Sequence, residues 1–302
     1  MIPVSYHASY STLALPPHHR FPIGKYQALF HWLQQSDICH HFQIMSPSAI
    51  APVQLCLVHD PEYIQQFING TLPKEKMRRI GFPWSEALVR RTLHSLGGTL
   101  LATQQALEQR IAMQISGGYH HAYRDFGSGY CIFNDLVFAA ASVISQGTVD
   151  RALIIDCDVH QGDGTANMTV GRDDIISCSI HCTKNFPARK QQSHYDLELP
   201  PDSNGSEYFE LLQQSIPWIL HRHQPQIIFY DAGVDVHRDD ELGLLNLTTQ
   251  DIYLRDKWIL GLAAAKEIPI VCVSGGGYCH DTLQLISRHS QLYLAAAECF
   301  AN

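Results

Sequence analysis

The chain has 302 residues, of which 45% are hydrophobic and 17% are charged, so it is long and apolar enough to bury a large core. Its formal net charge of -8 argues against a broad electrostatic grip on nucleic acid, and we expect no nucleic-acid partner. A basic segment followed by an apolar one is missing at the N-terminus, and no run of about 18 apolar residues occurs elsewhere, so we expect no membrane association.

The distribution of proline, glycine and charge gives no sign of a linker, an internal repeat or a low-complexity segment. We therefore predict a single domain over residues 1–302. The cysteines are nine in number, an odd count, and none is spaced as C-x-x-C. This usage is typical of reduced thiols, and we expect a cytoplasmic protein.

Short apolar runs alternate with segments of helical periodicity along the chain. Five runs predict strands: Ala112–Ser116, Ala152–Asp158, Ile175–His181, Ile227–Asp231 and Ile270–Ser274. Seven segments predict helices: Tyr26–Gln35, Glu62–Ile68, Ser85–Glu108, Phe133–Ser145, Ser206–His221, Thr248–Ala265 and Asp281–Ala297. Asp60 is a suitable N-cap for the second of these helices, with Pro61 in its first turn. The alternation predicts an α/β fold, with a mostly parallel central sheet and helices on both of its faces.

In a sheet of this kind, active sites lie just beyond the carboxyl ends of the strands. Four of the predicted strands end in polar or glycine-rich loops: Gly117–His121, Asp156–Gly164, Asp231–Asp240 and Ser274–Tyr278. Asp156, Asp158 and His160 alternate with period two, so they share one face if the strand continues that far. The sequence therefore predicts a cation site at this edge of the sheet.

These loops belong to an ordered set of motifs: Val58-His-Asp-Pro-Glu-Tyr63, Gly117-Gly-Tyr-His-His-Ala122, Ser128-Gly-Tyr-Cys-Ile-Phe-Asn-Asp135, Asp156-Cys-Asp-Val-His-Gln-Gly-Asp-Gly164, Gly233-Val-Asp-Val-His-Arg-Asp-Asp240 and Gly275-Gly-Gly-Tyr278. In order and spacing, along nearly the whole chain, the set resembles the histone deacetylase family, which has the arginase/deacetylase fold. The segment Asp239–Leu245 and the short chain are more similar to the class IV and bacterial-type branch than to the larger class II enzymes. The resemblance implies a three-layer α/β/α domain and a metal-dependent amidohydrolase.

The resemblance also implies a metal site with three protein ligands, Asp158, His160 and Asp240. Three ligands leave open positions for water and the substrate carbonyl, as a hydrolytic zinc site requires. We therefore expect Zn²⁺, and the oxygen-rich ligand set also suits Fe²⁺ or Co²⁺. A monovalent-cation site, for K⁺, is implied beneath the metal. Its ligands would be Asp156, Asp158, His160, Ser179 and, through its backbone, Ile180.

By the same resemblance, His120 and His121 are tandem catalytic histidines, oriented by Asp156 and Asp163 respectively. We expect His121 to act as the general base and later to protonate the leaving amine, with His120 as its electrostatic partner. The sequence does not divide the proton transfer between the two imidazoles, which can titrate as one coupled unit.

Tyr278 resembles the family's transition-state tyrosine, whose hydroxyl donates to the oxyanion formed when water attacks the amide carbon. For the substrate channel we predict Gly129, Tyr130, Tyr119 and Gly276. Tyr130 stands where the family usually has phenylalanine, so it adds a hydroxyl to the channel wall. An aromatic channel suits the methylene stem of an acyl-lysine.

Two other histidine pairs follow no glycine pair at a strand end. His40 and His41 lie in a polar stretch beyond a predicted helix, and we expect them to be solvated surface residues. His18 and His19 lie in a proline-rich loop that is near the pocket rim in the resembled family, and their role stays open at this point.

Three functions fit the sequence. The first is removal of acetyl or longer acyl groups from lysine side chains of proteins or peptides. The second is deacetylation of small acetylated amines such as acetylpolyamines, although the long loop insertion that restricts the channel in such family members is not found here. The third is a non-catalytic module that binds a metal and recognises acyl-lysine.

Overall fold

The computed structural model describes residues 1–301. Eight strands form one sheet: β1 (Ile2–Ser5), β2 (Phe42–Met45), β3 (Ile111–Gln114), β4 (Ala152–Asp156), β5 (Ile175–Cys182), β6 (Tyr195–Leu199), β7 (Ile227–Asp231) and β8 (Ile270–Val273). Their order across the sheet is β2-β1-β3-β8-β7-β4-β5-β6, and the paired neighbours are parallel. The predicted fold class, an α/β protein built on a parallel sheet, is confirmed.

Nine α-helices of the described chain surround the sheet: α1 (Lys25–Gln35), α2 (Pro61–Ile68), α3 (Lys74–Ile80), α4 (Glu86–Gln109), α5 (Asp135–Ser145), α6 (Asp163–Thr169), α7 (Gly205–His223), α8 (Thr249–Ala265) and α9 (Thr282–Phe300). Short 3₁₀ turns occur at Ala8–Ser11, Cys39–His41 and Pro52–Leu57. Helix α4 packs on α5 and on strands β1, β3 and β8, whereas α9 packs on α1 and α8. The arrangement agrees with the three-layer α/β/α architecture implied by the sequence.

The loop after β4 differs from the prediction, because the strand ends at Asp156 and not at Asp158. The Asp158 amide donates to Asp156 Oδ1 at 3.1 Å, and the His160 amide donates to Asp158 Oδ1 at 3.0 Å. These aspartate-to-backbone bonds fold the chain into a loop, although the Cys157 amide still donates to the Asp231 carbonyl and the Val159 carbonyl still accepts from the Cys182 amide. Asp158 and His160 therefore lie in a loop and are brought together by it, not by strand alternation.

The other elements compare closely with the predictions. All seven predicted helices are present, with ends displaced by three residues at most, and Asp60 caps α2 by accepting from the Glu62 and Tyr63 amides. Strands β1, β2 and β6 and helices α3 and α6 were not predicted. Residues 1–301 include no helix that is both long and apolar enough to cross a membrane. The nine cysteines are free thiols, and the single-domain assignment stays a prediction.

Candidate active site

Four adjacent central strands, β3, β8, β7 and β4, end at the same edge of the sheet, so the loops that follow them meet there. A cavity of about 570 Å³ opens at this edge. We call the buried polar residues in and beneath it the floor: His120, His121, Asp156, Asp158, His160, Asp163 and Tyr278. We call the more exposed residues of its wall the mouth: Arg79, Tyr130, Phe186 and Arg189.

The tandem histidines are each held by a different carboxylate in the floor. His120 Nδ1 lies 2.8 Å from Asp156 Oδ2, and His121 Nδ1 lies 2.6 Å from Asp163 Oδ1. The hydroxyl of Tyr123 donates to the other oxygen of Asp163 at 2.9 Å, which fixes that carboxylate in turn. The two imidazoles are 4.1 Å apart between ring centroids. With both Nδ1 atoms occupied, the Nε2 atoms are left for chemistry.

The surroundings shift the pKa values of the two histidines in opposite directions. Burial, followed by the charge of His120, lowers the pKa of His121 to about 4. Burial alone would also lower the pKa of His120, but the charges of Asp156 and Asp158 outweigh it and raise that pKa well above its usual range. The pair therefore combines one imidazole that favours its charged form with one that favours its neutral form.

Metal-donor atoms cluster beside this pair. One ligand atom each from Asp158, His160 and Asp235 lies within 4.8 Å of the others, and all three residues are buried. His160 Nδ1 is 2.9 Å from Asp158 Oδ1 and 3.1 Å from Asp235 Oδ2. Burial would lower the pKa of His160, but these two contacts raise it to about 10. The grouping of two carboxylates and one imidazole is an oxygen-rich donor set that suits a divalent cation.

Asp240, the third metal ligand implied by the family resemblance, is not part of this close group, and its carboxylate accepts hydrogen bonds from backbone amides. Its Oδ2 accepts from the Tyr278 amide at 2.7 Å, and its Oδ1 accepts from the Leu242 and Gly243 amides. Burial raises the pKa of Asp240 to about 6, and burial together with the charge of Asp158 raises that of Asp235 to about 7. Because buried carboxylates resist ionisation together, a bound cation would relieve both shifts. The chemistry of the donor set thus fits a metal.

Asp231, at the end of β7, lies beside His120, with 4.0 Å between its Oδ2 and His120 Nδ1. It forms a second close group with His120 and Asp156. Within residues 1–301, neither oxygen of its fully buried carboxylate has a hydrogen-bond partner. Burial and the nearby charge of Asp156 raise its pKa well above the usual range. Asp231 and Asp235 both belong to the segment Asp231–Asp240 that follows a predicted strand, but the sequence singles out neither.

The glycine-rich loop after β8 approaches the donor atoms closely. The Gly276 amide donates to Asp158 Oδ2 at 2.9 Å. A Cβ at Gly276 would lie 2.2 Å from Asp235 Oδ2 and 2.3 Å from Asp158 Oδ2, so only glycine fits. The buried Lys25 Nζ donates to the Gly275 carbonyl at 3.0 Å and ties the same loop to α1. Burial lowers the pKa of Lys25 to about 8.

Comparison with known proteins agrees with this geometry. The profile of the histone deacetylase domain matches residues 19–294. The chain belongs to the histone deacetylase family. It is therefore a hydrolase, and zinc dependence is typical of this family.

Similar proteins occur across bacteria and plants. An uncharacterized protein of Picosynechococcus sp. is 41% identical over 99% of both chains. Histone deacetylase 2 of Arabidopsis thaliana is 24% identical over 95% of this chain and 77% of its own. The acetoin utilization protein AcuC of Staphylococcus xylosus is 27% identical, over 79% of this chain and 67% of its own. An acetylpolyamine aminohydrolase from Burkholderia pseudomallei superposes with a TM-score of 0.78 at 19% identity, covering 98% and 99% of the two chains, and so shares the fold.

The cavity wall of this deacetylase contains only some of the predicted channel residues. Gly129 and Tyr130 line it, and a Cβ at Gly129, whose φ is +52°, would lie 2.6 Å from His121 Cδ2. The Gly276 backbone instead contacts Asp158, beneath the wall. Tyr119 is 7% exposed, and its hydroxyl bonds to the buried Ser95 and Ser116 hydroxyls. Tyr119 is not among the residues that line this cavity, because its hydroxyl is bound in the core, and its role as channel wall stays a prediction.

One aromatic residue of the wall, Phe186, was not singled out from the sequence. Phe186 is 45% exposed, and its ring lies edge-on to His121, with centroids 4.8 Å apart. The Tyr130 ring lies 5.2 Å from that of Phe21 and 6.0 Å from that of Tyr278. Burial raises the pKa of the Tyr130 hydroxyl, so this side chain stays neutral. The wall thus offers aromatic faces to an apolar stem.

The remaining sequence candidates occupy distinct surroundings. Ser179 is buried on β5, where its hydroxyl bonds with His181 Nδ1 at 3.0 Å, and the K⁺ site stays a prediction. His19 Nε2 bonds with the Gly81 carbonyl at 2.8 Å, and its ring lies 5.7 Å from that of Tyr130. His19 therefore packs against two residues of the cavity wall. Of the predicted surface pair, His40 is exposed, whereas His41 is partly buried.

Proposed function

We propose that this hydrolase removes acetyl or longer acyl groups from lysine side chains of proteins or peptides. The observation that carries the proposal is the convergence of His121, Tyr278 and the metal-donor cluster on one cavity with aromatic walls. Tyr130 and Phe186 would enclose the apolar stem of the substrate, while the amide at its end reaches the floor.

His121 is the proposed general base. Its Nδ1–H donates to Asp163, which leaves Nε2 unprotonated and free to take a proton from the attacking water. The depressed pKa of His121 keeps it neutral at pH 7 and supports this role. As the bond between carbon and nitrogen breaks, the same Nε2 returns its proton to the lysine amine, so the products are the amine and a carboxylic acid, which loses its remaining proton to solvent to give the carboxylate.

His120 is proposed to act as a fixed positive charge beside the reacting atoms. Its raised pKa favours the protonated imidazole, and its hydrogen bond to Asp156 holds that charge in place. Tyr278 is the proposed donor to the oxyanion, since burial raises its pKa well above the usual range and keeps its hydroxyl protonated. Oxyanion donors of this kind act because they are aligned before reaction begins.

The proposed metal ligands are Asp158, His160 and Asp240, with Asp235 adjoining them. Zn²⁺ at this position would supply Lewis-acid polarisation of the amide carbonyl and would acidify the attacking water, and Fe²⁺ or Co²⁺ could supply the same chemistry. The chain itself keeps the donors in place through backbone amides: Gly276 holds Asp158, and Tyr278 holds Asp240.

Small acetylated amines are the second candidate substrate class. The observation that favours them is the fold shared with a protein described as an acetylpolyamine aminohydrolase. Against them, the two mouth side chains that carry a full charge are both arginines, which would repel a second amine of the substrate.

The test compares both substrate classes with one protein preparation. Purified, Zn²⁺-loaded protein is assayed on an acetyl-lysine peptide, a long-chain acyl-lysine peptide and acetylputrescine, alongside Asp158→Ala. We expect turnover of an acyl-lysine peptide that exceeds turnover of acetylputrescine and is abolished in Asp158→Ala. Activity that Asp158→Ala retains in full would contradict the assignment, and faster turnover of acetylputrescine would reverse the order of substrates. Tight binding of a hydroxamate with no turnover of any substrate would favour the non-catalytic module.

A further inference from the structure

The mouth carries positive charge, from Arg79 and Arg189, that has no role in the proposed reaction. Of the cavity-lining side chains, only Arg79, Arg189 and Asp163 carry full charges, apart from the imidazoles. Asp163 is 3% exposed, and both of its oxygens are engaged, by His121 and Tyr123. The two arginines are exposed, and within residues 1–301 no carboxylate lies within ion-pair distance of either guanidinium.

Arg79 is held in place without an anionic partner. Its guanidinium carbon lies 4.0 Å from the ring centroid of Phe126, which is stacked on Tyr123 at 4.3 Å. The Arg79 carbonyl accepts from the Gly129 amide at 3.2 Å, so the end of α3 is fastened to the channel wall. Stacking orients a guanidinium and leaves its five N–H donors free for a ligand.

Arg189 lies in a loop that is held in place by hydrogen bonds. The neighbouring Lys190 Nζ bonds with the Asn185 and Pro187 carbonyls, which closes the loop on itself. The Gln191 amide donates to Gln161 Oε1 at 2.8 Å and so anchors the loop to the segment that follows β4. The Lys190 ammonium group is therefore bound within the loop. Arg189 lines the cavity, and no carboxylate of the described chain pairs with it.

We propose that Arg79 and Arg189 are specificity-determining residues that bind a carboxylate beside the acyl-lysine, so that the preferred substrates are acyl-lysines flanked by Asp or Glu. This inference rests on the proposed function, because it takes the acyl-lysine stem to fill the cavity. The residues that flank the modified lysine then lie at the mouth, where a guanidinium can donate two parallel hydrogen bonds to one carboxylate. A lysine or a second amine there would meet two unpaired positive charges.

The experiment uses three acetyl-lysine peptides that differ only in their flanking residues: Asp/Glu, Gln/Ser or Lys/Arg. Turnover of the Gln/Ser peptide reports on the proposed function by itself. Dissociation constants of all three are measured with the Tyr278→Phe protein, which binds without rapid hydrolysis. The variants are R79Q, R189Q and their combination. R222Q is the matched control, because Arg222 is an exposed arginine near the Trp218 ring at the end of α7, away from the cavity.

We expect the Asp/Glu peptide to bind about five- to tenfold more tightly than the Lys/Arg peptide at low salt, as fits two exposed ion pairs. The preference should vanish in the R79Q/R189Q protein, persist in R222Q and shrink as salt rises. Equal binding of the three peptides by the Tyr278→Phe protein that keeps both arginines would overturn the inference, whether or not the unsubstituted protein hydrolyses any peptide. Binding preference without hydrolysis would keep the inference and refute the proposed function.

Discussion

The charged side chains of the floor and of the mouth of the cavity differ in their burial and in whether they have a partner of opposite charge. In the floor, His120 and His121 are 3% and 4% exposed, and each is bonded to its own carboxylate. At the mouth, Arg79 and Arg189 are exposed and pair with no carboxylate of the described chain. A buried charge without a partner is costly, whereas an exposed one is solvated. The floor is therefore a closed network suited to one reaction, and the mouth is free to recognise the substrate.

The difference predicts that small changes in the floor have large effects. Tyr278→Phe removes only the hydroxyl proposed to donate to the oxyanion, and we expect kcat/KM to fall about a hundred- to a thousandfold. Tyr195→Phe is the matched control, since Tyr195 lies on β6, the last strand of the sheet, and its hydroxyl bonds with His223 Nε2 and not with a residue of the floor. Steady-state kinetics on one acetyl-lysine peptide measures both. A loss of less than about threefold in Tyr278→Phe would remove this residue from the mechanism.

A single added methyl group tests how tightly the floor is packed. Gly276→Ala would place a Cβ 2.3 Å from Asp158 Oδ2, so the glycine-rich loop or the carboxylate must shift. We expect a loss of activity of about a hundredfold, as a displacement near 1 Å can cause. Gly261→Ala, in α8, is the control, because its Cβ would meet no atom within 4 Å. Equal activity and equal metal content in the two variants would show that the floor tolerates displacement.

The pairing of the histidines is tested by changing a partner instead of a histidine. In Asp163→Asn the side chain keeps its shape but loses the charge that orients His121. We expect kcat to fall roughly ten- to a hundredfold, less than the full contribution of a general base. The pH–rate profile of the variant should also move, because Asp163 contributes to the pKa of His121. An unchanged profile would mean that Asp163 has no effect on the base.

A buried histidine outside the floor should affect stability and not activity. His59 Nδ1 donates to the Tyr123 carbonyl, and its Nε2 accepts from the Asn134 amide, so the ring must be neutral. Burial lowers its pKa from 6.5 to about 4. The unfolded chain therefore binds a proton that the folded chain does not, and stability is lost as pH falls from 6.5 toward 4. The loss from this residue is about 3 kcal/mol at most.

The measurement is the free energy of unfolding against pH for the parent protein and His59→Gln. We expect the variant to be less stable at pH 7 but to lose less stability between pH 6.5 and 4. His40→Gln, at an exposed histidine, should keep the slope of the parent protein. Identical slopes in the parent protein and His59→Gln would show that His59 does not titrate as described.

The same contrast explains what the sequence could predict. The residues of the floor follow strands that are buried on both faces, as apolar runs such as Leu153–Ile155 reveal. Strands β2 and β6 lie at the edges of the sheet, where exposed residues interrupt the apolar pattern, and β1 contains Pro3, which argues against a strand. The unpredicted strands therefore lie on either side of the site and do not displace it.

Contacts between segments that lie far apart in the chain could not be predicted from the sequence. Asp231 and Asp235 join the site only because β7 lies beside β4 in the sheet, an order that no local pattern states. Arg79 reaches the mouth from α3, a short, strongly charged helix without a clear apolar stripe. The hydroxyl of Tyr119 turns to Ser95 on α4, which the family resemblance alone could not show.

The proposed hydrolysis is tested most directly when the oxygen of water is followed into the product. An acetyl-lysine peptide is incubated in H₂¹⁸O with the Zn²⁺-loaded parent protein, His121→Ala or the control His40→Ala, and acetate is analysed by mass spectrometry. The proposed mechanism predicts one ¹⁸O atom per acetate, one acetate per free lysine, full activity in His40→Ala and a loss of about a hundredfold or more in His121→Ala. Equal release of acetate by His121→Ala, or no release by the parent protein, would contradict it.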